Sequence, residues 1–206
     1  MTKKLLIIDT LAGNLFSLQA AAQRLGFEVD ICQSPNDIIY DALVIPGQGR
    51  FASVVNQLKK QGWDSYLKNA HEHGLPMLGI CVGMQIFFEA SDEDPEVTGF
   101  AWFKGKAKAL DFPKKPMVGW AELDSRDSIF AGKIVYFVNS FAVDQADESV
   151  ATTEYGQNFC AAVKRGAFYG VQFHPEKSSQ AGLQMMANIL LPENQGELKS
   201  EENNHV

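Results

Sequence analysis

The sequence predicts an α/β domain in which a mostly parallel central sheet is flanked by helices and extended by antiparallel strands in the C-terminal half. Three observations predict it. Short apolar runs alternate with segments of helical spacing as far as Ile80, the rhythm changes after about Gly99 to short strands and turns, and an amphipathic segment closes the pattern at Ser179 to Leu190. Strands separated by helices pair in parallel, and parallel sheets are covered on both faces.

Leu5 to Asp9 reads as a short buried strand. After a loop holding Gly13, Asn14 to Leu25 has helical spacing, with Leu15, Leu18, Ala22 and Leu25 on one face and Gly26 as its stop. Phe27 to Cys32 and Ala42 to Ile45 are further strands. A helical stretch from about Ala52 to His73, broken near Gly62, leads to the strand Pro76 to Ile80. The later strands are Ala107 to Leu110, Met117 to Leu123, Ile134 to Val143, Val150 to Glu154, Phe159 to Lys164 and Phe168 to Phe173. The expected domain spans residues 1–191. The remainder, 192–206, has too few apolar residues to order itself and reads as a dispensable polar tail.

Composition narrows the function. The chain has 206 residues, 46% of them hydrophobic, which is enough for one full core. A net charge of -7 without a basic block argues against nucleic acid or an anionic membrane surface as partner. No segment is long enough to span a bilayer or serve as a secretory signal, so a cytoplasmic protein is expected. Three cysteines, none in a CxxC or Cys/His ligand spacing, suggest neither a disulfide framework nor a metal site. No cofactor is expected.

Cys81 stands directly after the apolar strand and before a predicted helix, with Gly79 and Gly83 two residues to either side. A nucleophile elbow has this pattern: the tight strand-to-helix turn crowds its neighbours, which must be glycine, and lifts the thiol out of the sheet. A helix N-terminus also favours the thiolate. Cys32 and Cys160 lack such a frame and read as core. The elbow alone fits hydrolases, peptidases and amidotransferases equally.

The segment Gly170 to Lys177 reads as a strand ending in His174, Pro175 and Glu176. Residues two apart on extended chain share a face, so Glu176 can orient the imidazole of His174 while the other ring nitrogen reaches a thiol on a neighbouring strand. His71, His73 and His205 have no such partner and read as solvated helix or tail residues.

With these motifs the chain resembles the class-I, triad-type glutamine amidotransferases, and within them the glutaminase subunits of imidazole glycerol phosphate synthases. The resemblance covers almost the whole chain. It rests on Ile8 and Asp9 with Gly13 and Asn14, Pro46 to Gly49 with Phe51, Gly79 to Gln85, Gly119 with Trp120, Tyr136 to Val138 with Ser140, and Gly170 to Ser179. It implies Cys81, His174 and Glu176 as catalytic triad, and an oxyanion hole from the backbone of Gly47, Gln48 and Gly49 with the N–H of Val82. Glutamine would be bound by Gln85, by Glu93 through its α-ammonium, and by the main chain near Ser140 and Phe141. Ammonia would pass to a (βα)8-barrel cyclase docked on a face containing Asn14, Trp120, Tyr136 and Lys177. Without the family, Trp120 reads as core and Lys177 as a solvated charge.

The chain departs from the family pattern at Thr10, Leu11, Met117, Ala121 and Asn139; in the family these segments face the partner subunit or signal its state to the oxyanion strand, and none is part of the triad. The sequence therefore leaves three alternatives open: a paralogous glutaminase serving another synthase, such as one for surface-sugar amidation; a stand-alone cysteine hydrolase; and a non-enzymatic interaction protein on the same fold.

Overall fold

Four consecutive buried residues, Leu5 to Ile8, make up most of the first strand, and a computed structural model describes the chain for residues 2–11 and 15–192. Gly13, Asn14 and the predicted tail beyond Pro192 lie outside the described residues. The elements are β1 (Lys4–Ile8), α1 (Phe16–Arg24), β2 (Glu28–Cys32), β3 (Ala42–Ile45), α2 (Phe51–Lys60), α3 (Trp63–Glu72), β4 (Met77–Ile80) and α4 (Val82–Gln85). Next come β5 (Phe88–Ser91), β6 (Phe103–Ala109), β7 (Met117–Glu122), β8 (Ile134–Asn139), β9 (Phe141–Val143), β10 (Ser149–Tyr155), β11 (Gln157–Arg165), β12 (Phe168–Val171) and α5 (Ser179–Leu190).

The main sheet has the order β10-β11-β12-β4-β3-β1-β2. From β12 to β2 every pairing is parallel, whereas β10 and β11 join antiparallel at one edge, as the change of rhythm predicted. β3 and β4 are buried at every position, as strands covered on both faces must be. Gly62, at φ +80, divides the predicted long helix into α2 and α3. No helix among the described residues is long and apolar enough to cross a membrane.

Two expectations change. The predicted strand Ile134 to Val143 is two strands in different sheets: β8 pairs β7 in a hairpin, and β9 pairs β6 in a three-stranded sheet, with Ser140 at the break. β6 begins four residues earlier than expected. Lys104, Lys106 and Lys108 alternate there with Phe103, Gly105 and Ala107, so one face is solvated and the apolar signal is thin. β5 is too short and mixed to be predicted.

Candidate active site

β3, β4 and β12 lie side by side and parallel, so the residues after each strand emerge together at one edge of the sheet. Ligands in open α/β sheets bind at these carboxyl ends. Pro46 to Gly49 come after β3, Cys81 after β4, and Gln172 to His174 after β12. The register Val171 opposite Ile80 carries on for one residue beyond the strands, where the Cys81 N–H donates to Val171 O at 2.7 Å.

Cys81 has φ +55 and ψ −114, a conformation that costs energy for a residue with a side chain and that occurs at sharp nucleophile turns. The glycine frame has direct steric causes. A Cβ on Gly79 would lie 2.5 Å from Gly83 O, and one on Gly83 would lie 2.0 Å from Ile45 O. Gly47 belongs to the same contact, because a Cβ there would meet Gly83 N at 2.0 Å. The strand end at residues 45–47 thus leans directly on the elbow. The helix after Cys81 is one turn, Val82–Gln85, so it carries little of the summed dipole of a long helix, and the Cys81 side chain makes no capping hydrogen bond to it.

His174 is 3% exposed. Its Nδ1 lies 2.8 Å from Glu176 Oε1, and the ring is within hydrogen-bonding reach of the Cys81 sulfur. Glu176 does not reach it by strand alternation. β12 ends at Val171, and Pro175 to Lys177 form a 3-10 turn that brings the carboxylate back under the imidazole. Ser178 fixes this turn, donating from Oγ to His174 O at 2.7 Å and accepting from Tyr136 N at 2.9 Å. Burial opposes the charged imidazolium, but the hydrogen bonds to Cys81 and Glu176 outweigh it and raise the His174 pKa to about 9.

A cavity of about 270 Å³ opens over the sulfur. Of the residues expected around glutamine, Gln48, Gly49, Val82, Gln85, Glu93, Ser140 and Phe141 all line it, together with Cys81 and His174. Gly47 lies behind the cavity wall, against the elbow. Glu93 also caps α2, its Oε2 accepting from Phe51 N at 2.9 Å. Asp94 next to it accepts from Ala52 N at 2.9 Å and pairs with Arg50. These two carboxylates anchor the chain just where Pro46 to Gly49 ends.

Sequence reasoning missed Gln172, Asp94 and the use of Asn139. Gln172 is fully buried; its Nε2 lies 3.5 Å from Cys81 Sγ and its Oε1 2.8 Å from Gln85 Nε2. Its signal was present: it stands inside the strand motif, one residue past the register that aligns β12 with β4. Asn139, in the cavity lining, donates to Phe141 O at 3.1 Å.

The predicted docking residues divide. Trp120 and Tyr136 pair across the β7–β8 hairpin with rings 5.7 Å apart, and Trp120 is 52% exposed, so it is not core. Val118 and Ile134 on the same hairpin are also exposed. Lys177 is exposed, as a solvated charge is, and also lines the cavity. Asn14 lies outside the described residues, as does His205. His71 is not a solvated histidine: its ring stacks on Trp102 at 4.8 Å, and burial lowers its pKa. Cys32 and Cys160 are free, half-buried and buried respectively. Among the described residues, no group of three or more His, Cys, Asp or Glu could hold a metal ion.

A parallel sheet that presents a strained cysteine, a buried His–Glu pair and a glycine-rich segment after β3 at one edge defines a class, and residues 6–192 match it: the chain belongs to the class-I glutamine amidotransferase family. Among its relatives is the imidazole glycerol phosphate synthase subunit HisH of Moorella thermoacetica, 37% identical over 193 residues that cover 89% of this chain and 92% of that one. The imidazole glycerol phosphate synthase hisHF, chloroplastic, of Arabidopsis thaliana is 35% identical over 199 residues, covering 90% of this chain but 34% of that protein, so the likeness is to one part of a longer chain. The solved structure of PurLQS from Thermotoga maritima contains a chain that superposes with a TM-score of 0.74 over 93% of this chain and 99% of its own, at 17% identity, a likeness of fold alone.

Proposed function

We propose that this chain is the glutaminase subunit of an imidazole glycerol phosphate synthase, acting in the cytoplasm with residues 1–191 as its working unit. It hydrolyses L-glutamine to glutamate and ammonia. The ammonia goes to a (βα)8-barrel cyclase, which makes imidazole glycerol phosphate and AICAR in histidine biosynthesis. The observation that carries the reading is the meeting of Cys81 and His174 at one cavity, with Glu176 behind the imidazole, in a chain 37% identical to a HisH subunit over nearly its whole length.

In this mechanism the Cys81 sulfur attacks the side-chain carbonyl carbon of glutamine, and the carbonyl oxygen becomes an oxyanion. Backbone N–H groups of Val82 and of the Gly47 to Gly49 strand receive it, each contributing about 3 kcal/mol to the transition state. The His174 imidazolium, held charged by Glu176, gives its proton to the departing nitrogen, so that ammonia leaves and a γ-glutamyl thioester remains. Neutral His174 then takes a proton from water, whose oxygen attacks the thioester; the C–S bond breaks and glutamate is released. Glu93, which lines the cavity, receives the substrate's α-ammonium.

Ammonia freed into neutral water would become ammonium, which is not a nucleophile, so the product needs a sheltered route to a docked synthase. The exposed hairpin face of Val118, Trp120 and Ile134 supports a partner there, as does the length of the Arabidopsis relative beyond the matching part. The test is a glutaminase assay of the chain with and without a barrel cyclase and its ligand, together with complementation of a histidine auxotroph. Stimulation and growth are expected. Stimulation by a different synthase without growth would instead assign the chain to the paralogous amidotransferases, the reading motivated by Met117, Ala121 and Asn139.

A further inference from the structure

Two side chains approach the Cys81 sulfur. One is His174, which moves protons during turnover; the other is the buried amide of Gln172, to which the glutaminase mechanism gives no task. An amide so close to a thiol could present either its oxygen or its nitrogen, and the hydrogen-bond network decides which.

The decision begins at Phe141. Its backbone carbonyl can only accept, so the Gln85 group 3.0 Å away must be the amide nitrogen. That nitrogen carries a second hydrogen, directed at Gln172 at 2.8 Å, which must therefore present its oxygen. The remaining end of the Gln172 amide, 3.5 Å from Cys81 Sγ, is then NH2. Turning either amide over would set oxygen against oxygen or leave paired donors facing each other in a site where Gln172 is fully and Gln85 almost fully buried. Asn139 donates to the same Phe141 carbonyl at 3.1 Å and helps hold this fixed end in place.

We infer that Gln172 is a further catalytic residue, an N–H donor to the Cys81 sulfur whose polarity is set by the Phe141 carbonyl through Gln85. It stabilises the anionic sulfur both as attacking nucleophile and as the leaving group of thioester hydrolysis. The inference rests on the glutaminase reading for its catalytic meaning, but the donor contact itself does not depend on that reading. The opposing contact is Val138 O, 3.8 Å from the sulfur, which favours the neutral thiol as a longer and weaker acceptor. Substrate recognition is affected as well. Both Gln85 hydrogens are committed within the protein, so this side chain can offer a ligand only its Oε1. Gln85 therefore joins Glu93 as an acceptor for the α-ammonium and does not bind the α-carboxylate.

The test is alkylation of Cys81 by iodoacetamide as a function of pH, read by peptide-resolved mass spectrometry on the full chain, in wild type, Gln172→Leu and Gln172→Glu. The other titratable groups at the cavity, His174 with Glu176 behind it, Glu93 and Lys177, are the same in all three. Hydrogen bonds to charged groups correspond to about a tenfold or larger preference for the charged form. In Gln172→Leu the midpoint of the profile should move up by about one pH unit or more, and glutaminase kcat should fall about tenfold or more. Gln172→Glu keeps the size and the acceptor for Gln85 but places a carboxylate against the sulfur, so its midpoint should move further up. It also stands in as the test if the leucine variant does not fold. A wild-type midpoint in a variant with a wild-type melting temperature would overturn the inference. Failure of the wild-type chain to hydrolyse glutamine even with a barrel cyclase and its ligand present would sink the glutaminase reading and leave the alkylation result to judge the donor by itself.

Discussion

Gly83→Ala is the substitution that most directly probes how the elbow and the glycine-rich strand depend on each other. The added methyl carbon would lie 2.0 Å from Ile45 O, 3.0 Å from Ile45 C and 3.1 Å from Pro46 C, all backbone atoms that no rotamer change can move. Opening the first contact to 3.0 Å, the closest approach a Cβ tolerates, requires a displacement of about 1 Å at the start of Pro46 to Gly49. Placement errors of that size cost about 100-fold in rate, equivalent to about 2.7 kcal/mol of transition-state stabilisation. Overpacking costs stability as well, about 1–3 kcal/mol. The assay is glutaminase kcat and KM in the presence of the partner, with a thermal melt. We expect kcat to fall about 100-fold. Gly47→Ala, which pushes on Gly83 N from the other side at 2.0 Å, should reproduce the defect. Wild-type kcat in a folded Gly83→Ala enzyme would refute the claim that the elbow positions this strand.

The same geometry sets the outcome of three further substitutions. Cys81 and then Glu176 hold His174 charged up to about pH 9, so kcat/KM should decline on the alkaline side near that value; Glu176→Gln, which removes one of these two supports, should move the decline to lower pH, and an unmoved limb would exclude Glu176 as a support. The sign for stability is the same: a raised histidine pKa stabilises the fold fully below about pH 6.5 and progressively less as pH climbs through about 9, so the Glu176→Gln deficit in melting temperature should be largest at acidic to neutral pH and shrink above 9. Asp94→Ala removes a cap on α2 and the Arg50 pair; it should cost about 1 kcal/mol in chemical denaturation and lower kcat more than it raises KM, whereas an effect on KM alone would place Asp94 with the substrate instead. Trp120→Ala should leave the melting temperature and basal turnover of the isolated chain unchanged but weaken partner affinity by about 30-fold, as loss of an exposed aromatic anchor does; unchanged affinity by titration calorimetry would remove the hairpin from the interface.

Much of this arrangement was legible in the sequence because its signals are local. Gly79 and Gly83 around Cys81 mark a crowded turn, and the apolar runs of β1, β3 and β4 mark strands covered on both faces. Strand alternation predicts that Glu176 lies near His174, whereas in the structure the 3-10 turn at Pro175 supplies that proximity. The features that escaped depend on contacts across long separations. Gln172 bonds Gln85 from 87 residues away, and Asp94 caps a helix 42 residues earlier. Neither residue type is distinctive on its own, and only the register of β12 against β4 gives Gln172 its place. The split at Ser140 was hidden because both halves of the run are apolar and extended; the choice of different sheets is made by β6 and β7, not by the run itself.

The central claim is best tested by acid-quenching the enzyme during turnover with its partner and glutamine, then reading the intact mass and the modified peptide. A γ-glutamyl adduct on Cys81, absent from Cys81→Ala together with ammonia release, is the predicted result. Undiminished ammonia production by Cys81→Ala, or an adduct on another residue, would contradict it.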